Sequence, residues 1–147
     1  SERTFQLLNQ VAGRSGRSQL KGEVIIQGFN IDHYSIIKAS NNDYIGFYTQ
    51  ELNIRRILKY SPYYNLCLIK IKHKDYDDAL KEANKIVKHF NNLNLKDVIV
   101  LGPSSSLIPK INNIYNLQVI IKFKNTKNII KELEFINNYY IKKGKGV

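Results

Sequence analysis

Residues 117–124 read LQVIIKFK, and their alternation decides the fold of the second half of the chain. Leu117, Val119, Ile121 and Phe123 fall on one side of an extended segment, while Gln118, Lys122 and Lys124 fall on the other. A period of two predicts a strand with one apolar face. Downstream, Ile129, Leu133, Ile136 and Tyr140 recur at helical spacing, and the stretch from Lys142 to Val147 is basic and glycine-containing. Upstream, Val98 to Leu101 reads as a short strand ended by Gly102-Pro103, and Ser104 to Asn113 as a loop. Before them Asp75 is a good helix N-cap, with Asp78 three residues on. The helix it starts lines up Tyr76, Ala79, Leu80, Ala83, Ile86, Val87 and Phe90 along one stripe. Leu66 to Lys72 is a strand, apolar on both faces at first and then alternating. The order is β-α-β-β-α, which places two helices on one face of a three- or four-stranded sheet. Lys70, Lys72, Gln118, Lys122 and Lys124 then share the opposite face as one basic surface. Two readings of that surface stand: a solvated sheet face, and a face that binds polyanions.

The pattern changes at Lys59 to Tyr64 (KYSPYY), where Pro62 disfavours helix at Ser61. Preceding it, Asp43 to Leu58 reads as a helix with Phe47, Ile54 and Leu58 on one face. Asp32 is placed to cap a helix through Tyr34, Ile37 and Lys38, interrupted at Asn41-Asn42. Glu23 to Phe29 (EVIIQGF) reads as a buried strand, and residues 4–12 as a helix carrying Phe5, Leu8 and Val11. The expected class is α/β of the α+β kind, in two parts: residues 1–60 and residues 61–147.

The chain carries 23 Lys+Arg against 12 Asp+Glu, a net charge of +11 in 147 residues. The excess is uneven, +3 over residues 1–60 and +8 over residues 61–147. A positive protein attracts polyanions through counterion release. Cys67 is the one cysteine and lies in an apolar run, so it reads as a core thiol of a reducing compartment. No apolar run approaches membrane-spanning length, and Ser1-Glu2-Arg3 opens no signal peptide. The absence of Met leads to the expectation of a piece of a longer polypeptide.

The segment that carries chemistry is QVAGRSGR, Gln10 to Arg17. Two arginines three apart, each preceded by glycine, follow an amphipathic helix. Arginine forks onto phosphate oxygens, and glycine lets backbone approach a ligand. An arginine aimed at a transferring phosphoryl group stabilises charge developing in the transition state. A basic loop without a ligand fits the same residues.

Gln-x-x-Gly-Arg-x-Gly-Arg resembles motif VI of superfamily 2 helicases. With TFQLLNQVAGRSGR, GEVIIQGFNIDHYSI, FYTQELNIRRILKYSPYYNLCLI and LGPSSSLIPKINNIYNLQVIIK, nearly the whole chain resembles the C-terminal portion of the primosomal replication-restart helicase family, PriA. The resemblance implies that residues 1–60 end a second RecA-like lobe. There Arg14 and Arg17 contact the γ-phosphate of ATP, Gln10 couples nucleotide to the lobe interface, and Gly13 and Gly16 shape the turn. It implies a closing domain like ribosomal protein S-ten that binds branched DNA, and an ATP- and Mg-dependent 3′-to-5′ helicase, cytoplasmic and nucleoid-associated, that assembles primosome proteins at forks. For Gln118 it implies a contact with the acidic tail of single-stranded DNA-binding protein. The family's arginines before that position are replaced here by Ile114-Tyr115-Asn116, and its Tyr-Pro-Pro by Tyr60-Ser61-Pro62. Arg55 and Arg56 are further candidates for contact with DNA or with the neighbouring lobe, against a plain solvated or capping role at a helix end. Tyr63, Tyr64 and Tyr115 are candidates for base stacking, against plain packing. The chain has no phosphate loop, and one cysteine cannot supply the family's zinc sites, so it is expected to be inactive as an ATPase by itself. The alternative is a stand-alone nucleic-acid-binding or protein-interaction module of S-ten-like fold.

Overall fold

The computed structural model describes residues 1–15 and 23–143. It divides into two compact units, Ser1–Leu58 and Lys59–Val147.

The first unit consists of α1 (Glu2–Ala12), α2 (Tyr34–Ser40) and α3 (Tyr44–Ile57). Its core is small: Phe5, Ala39 and Phe47, with Leu8 and Tyr34 packed against them. The Phe5 and Phe47 rings stack at 4.1 Å between centroids. Asp43 caps α3 by accepting from the Gly46 N–H at 2.8 Å, and Lys38 ties to the same carboxylate at 2.7 Å. The cap of α2 is His33 rather than Asp32, its ring nitrogen accepting from the Ser35 N–H. His33 Nδ1 also lies 2.7 Å from the buried Ser35 hydroxyl, which fixes the ring at the cap.

The strand expected at Glu23–Phe29 is absent: these residues have no regular structure, and Ile25 and Phe29 are 92% and 113% exposed. The physical reason is pairing. A β-prone run becomes a strand only where a neighbour supplies ladder hydrogen bonds, and the described residues of this unit contain no other strand.

The second unit runs β1 (Asn65–His73), α4 (Tyr76–Asn92), β2 (Val98–Ile111), β3 (Ile114–Phe123) and α5 (Thr126–Lys143). It is the α+β arrangement expected, with sheet order β1-β3-β2 and β3 antiparallel to both neighbours. Cys67, Ile69 and Ile71 of β1, Leu117, Val119, Ile121 and Phe123 of β3, and Val98 and Val100 of β2 face the helices. α4 meets them with Ala79, Ala83, Ile86 and Phe90, and α5 with Ile129, Leu133 and Ile136. Asp75 caps α4 by accepting from Asp78 N–H at 2.9 Å, while Asp77 and Asp78 face the positive end of the helix dipole. At the other end Asn94, with φ +47°, turns the chain out of α4.

The loop expected at Ser104–Asn113 is also corrected. β2 bends at Gly102 and continues to Ile111, and Asn112-Asn113, both at positive φ, turn it back into β3. Gly102 sits at φ +111°, and a Cβ there would lie 2.9 Å from the Gln118 carbonyl oxygen, so the bend requires glycine. A second irregularity follows, between the Ser105–Leu117 and Lys110–Tyr115 pairs. There Asn116 donates to the carbonyls of Ile108 and Ile114, and Leu107 points out, 98% exposed.

Candidate nucleotide and nucleic-acid surfaces

In the first unit, α1 carries the arginine motif at its C-terminal end. The Gly13 N–H donates to the Asn9 carbonyl and the Arg14 N–H to the Val11 carbonyl, at 2.9 and 3.0 Å, so the turn closes the helix tightly. Gln10 and Arg14 are both exposed, four residues apart at this end. Gly16 and Arg17 lie outside the described residues.

The opposite end of α1 is held to α3. Arg55 donates to Glu51 Oε1 at 2.8 Å and to Glu2 Oε2 at 2.7 Å. Glu51 also accepts from the Tyr34 hydroxyl and, at 2.7 Å, from the Ser1 hydroxyl. Burial opposes ionisation of Glu51, but the hydrogen bonds from Tyr34, Ser1 and Arg55 outweigh it and bring its carboxyl down to about 2. Arg55, expected as a DNA contact, is thus half-buried and engaged within its own unit. Arg56 is exposed, 3.1 Å from the Asn53 side-chain oxygen.

In the second unit the register sorts the uncovered sheet face into bands. Lys70 lies opposite Gln118, which lies opposite Ser104, and Lys72 lies opposite Asn116. The next row is apolar: Leu68, Ile120 and Leu101. The last row is Leu66, Lys122 and Ile99. The face is therefore not uniformly basic. Lys70 and Lys72 are exposed at one end. Lys122 is 6% exposed, with its ammonium 3.7 Å from the centre of the Tyr60 ring. Lys124, one residue past β3, pairs with Asp97 at 3.5 Å and lies near the Tyr64 ring. The expectation of one surface made by Lys70, Lys72, Lys122 and Lys124 is corrected accordingly. The Tyr60–Tyr64 turn folds over the Lys122 end, and no alternation pattern reveals a cover that comes from outside the strand.

Of the tyrosines singled out for stacking, Tyr64 is buried, with its hydroxyl donating to Asp97 at 3.3 Å, so it serves packing. Tyr115 stands at the lysine-rich end, where Lys110 sits 4.5 Å from its ring centre and Tyr76 meets it edge-on at 5.6 Å. A cleft of about 450 Å³ opens there on the helix side of the sheet, lined by Lys74 and Lys110, by Asp75 and Asp77, and by Tyr76 and Tyr115. Lys110 was missed as a site candidate because 104–113 reads as a loop, and Tyr76 because it reads as part of the helical stripe. The available signal was Asn112-Asn113 between two β-prone runs.

Among the described residues, no three His, Cys, Asp or Glu side chains gather as metal ligands. No helix among them is long and apolar enough to cross a membrane.

Residues 56–142 match the family model of the primosomal protein N C-terminal domain. Replication restart protein PriA of Bacillus subtilis is 41% identical over 141 residues, 95% of this chain and 17% of that protein. The proteins of the same name from a Synechocystis strain and from Thermotoga maritima are each 35% identical, over 92% and 91% of this chain and 16% and 17% of their own lengths. The chain thus spans about a sixth of the length of the curated relatives it matches. With a domain match over residues 56–142 and this similarity along nearly its whole length, the chain belongs to the primosomal protein N (PriA) family, as its C-terminal portion.

Proposed function

We propose that this chain is the C-terminal part of an ATP-dependent 3′-to-5′ DNA helicase acting in replication restart and primosome assembly, in the cytoplasm at the nucleoid. Its second unit supplies a DNA-binding surface, and its first unit supplies an arginine to the nucleotide site. The observation that carries the DNA reading is the band of Lys70, Lys72, Gln118 and Asn116 on the face that no helix covers, in a half-chain of charge +8. Exposed lysines at one end suit backbone phosphates.

For the nucleotide, this chain's own share is Arg14, with Gln10 beside it on the end of α1. Both are exposed and so available to a phosphate group carried by another part of the helicase. ATP binding itself, and the Mg ligands, fall to residues outside this chain, since its sequence holds no phosphate loop. Gln118 remains a proposed contact for the acidic tail of single-stranded DNA-binding protein, now with Lys70 directly across from it.

The test is fluorescence anisotropy with labelled forked, duplex and single-stranded DNA across a salt series. Tighter binding to the fork that persists at moderate salt is the expected result. Equal and steeply salt-dependent binding to all three overturns branch recognition and leaves only attraction of a basic protein to phosphates.

A further inference from the structure

The arginine motif and the Glu51–Arg55 network sit at opposite ends of α1, an 11-residue helix. At its first end Glu2 accepts from Arg55 Nη2 at 2.7 Å, and the Ser1 hydroxyl donates to Glu51 Oε2 at 2.7 Å. Further along, Phe5 stacks on Phe47 at 4.1 Å between ring centres and meets the Tyr44 ring at 6.1 Å. Going forward along α1 from Glu2 to Phe5 thus goes backward along α3 from Arg55 to Phe47 and Tyr44, so the two helices run in opposite senses. Tyr44 is the first residue of α3. The last turn of α1 therefore runs past the start of α3, and residues 10–14 are all exposed.

A helix held that way behaves as a lever. From Phe5 to Arg14 is about 13 Å at the helical rise. A tilt of about 5° pivoting on Phe5 carries Arg14 by about 1 Å. A misplacement of about 1 Å costs on the order of a hundredfold in a step that depends on orientation. The tie at Glu2 lies on the far side of the pivot and restrains that tilt. It is well made for the purpose. Arg55 Nε donates to Glu51, four residues earlier on α3, while Nη2 crosses to Glu2. The guanidinium is planar, so seating Nε on Glu51 fixes the direction in which Nη2 points. Glu51 is held in turn by the Tyr34 hydroxyl of α2, so all three helices converge on one carboxylate and one guanidinium. The Glu51 carboxyl, at about 2, keeps the fork charged at neutral pH. The Glu2 side chain is 56% exposed, and an ion pair so open to solvent contributes little to stability. What it supplies is direction.

We propose that Arg55 is a positioning residue for ATP hydrolysis, an inference that rests on Arg14 being the arginine of the nucleotide site. By tying Glu2 to Glu51 it sets the tilt of α1, and with it the aim of Arg14 at the γ-phosphate. Charge developing on the transferring phosphoryl group is stabilised by an arginine held in place before the reaction begins.

The test uses the complete polypeptide of which this chain is the C-terminal portion. Steady-state ATP hydrolysis with forked DNA is measured for Arg55→Ala and for Glu2→Gln, which cuts the crossing tie and leaves the Glu51–Arg55 pair within α3. Affinities for ADP, and for ADP with aluminium fluoride as a mimic of the transferring phosphoryl group, are measured beside it. The expected kcat falls at least about threefold in Glu2→Gln and about tenfold in Arg55→Ala, with the KM for ATP within about twofold of wild type. ADP binding is unchanged, and binding of the mimic weakens in step with kcat. Because Arg55 acts through Arg14, neither substitution weakens mimic binding further in an Arg14→Ala background. A normal kcat in Glu2→Gln beside a defective Arg14→Ala overturns the inference alone. So do losses that add to that of Arg14→Ala, or an ADP affinity that falls together with kcat, which mark a general loosening of the lobe. An Arg14→Ala variant that hydrolyses ATP and binds the mimic as wild type does overturns the reading of Arg14, and the inference with it.

Discussion

The two units fold by different means. The second is organised around one strand, β3, whose Leu117, Val119, Ile121 and Phe123 are buried between two strands and beneath two helices. Among its described residues the first has three buried apolar side chains, and it relies on caps and ion pairs: Asp43 with Lys38, and Glu51 with Arg55, Tyr34 and Ser1. It leaves Ile45, Ile57 and Leu58 exposed on and just beyond α3. A buried strand makes a unit self-sufficient, while a polar staple orients helices and leaves their apolar surface to be covered by something else.

Truncation of the buried cores makes the largest difference. Phe90→Ala in α4 should destabilise the second unit by about 3–5 kcal/mol, seen as a lower urea midpoint, with the helices of the first unit unaffected. Phe47→Ala removes one of the stacked pair that forms most of the first core. About 3 kcal/mol is expected there, sufficient to melt that unit while the sheet persists. Melting of both units together in either variant would break the contrast. Gly102→Ala should cost on the order of 1–3 kcal/mol, because the new methyl meets the Gln118 carbonyl at a positive φ.

The polar staple of the first unit should respond to acid. The Glu51 carboxyl lies at about 2 in the folded chain against 4.5 as its ordinary value. A depressed carboxyl stabilises the fold fully above the unfolded value, and that stability is lost as pH falls from about 4.5 through about 2. Allowing for solvent screening, its worth is about 1–2 kcal/mol. Glu51→Gln should therefore lower stability at neutral pH and flatten the acid limb for the first unit only, measured by thermal melts between these pH values. An unchanged acid limb would mean the network orients the helices without stabilising them.

Most of the second unit was legible in the sequence because its period-two and helical stripes coincide with burial. The strand at LQVIIKFK, the Asp75 cap and both helix faces follow from the side chains themselves. What was not legible depends on partners distant in sequence. EVIIQGF has strand composition and no neighbouring strand among the described residues of its unit. Ser104–Asn113 has loop composition, yet β3 supplies its ladder. Lys122 alternates as an exposed residue should, and is covered by Tyr60 from a turn that no strand pattern encodes. Of the candidate site, Lys70, Lys72 and Gln118 share one face in register as read. Arg55 is drawn into an ion-pair network that depends on α1 lying against α3.

In the proposed function the lysine band, and not total charge, places DNA on the uncovered face. The direct test is the salt dependence of fork binding by the Lys70→Ala/Lys72→Ala variant, beside a Lys81→Ala/Lys85→Ala variant that removes the same charge from α4. Loss of two phosphate contacts predicts weaker binding and a log–log salt slope shallower by about two for the sheet variant, with the helix variant close to wild type. Equal slopes and equal affinities for the two variants would contradict the claim.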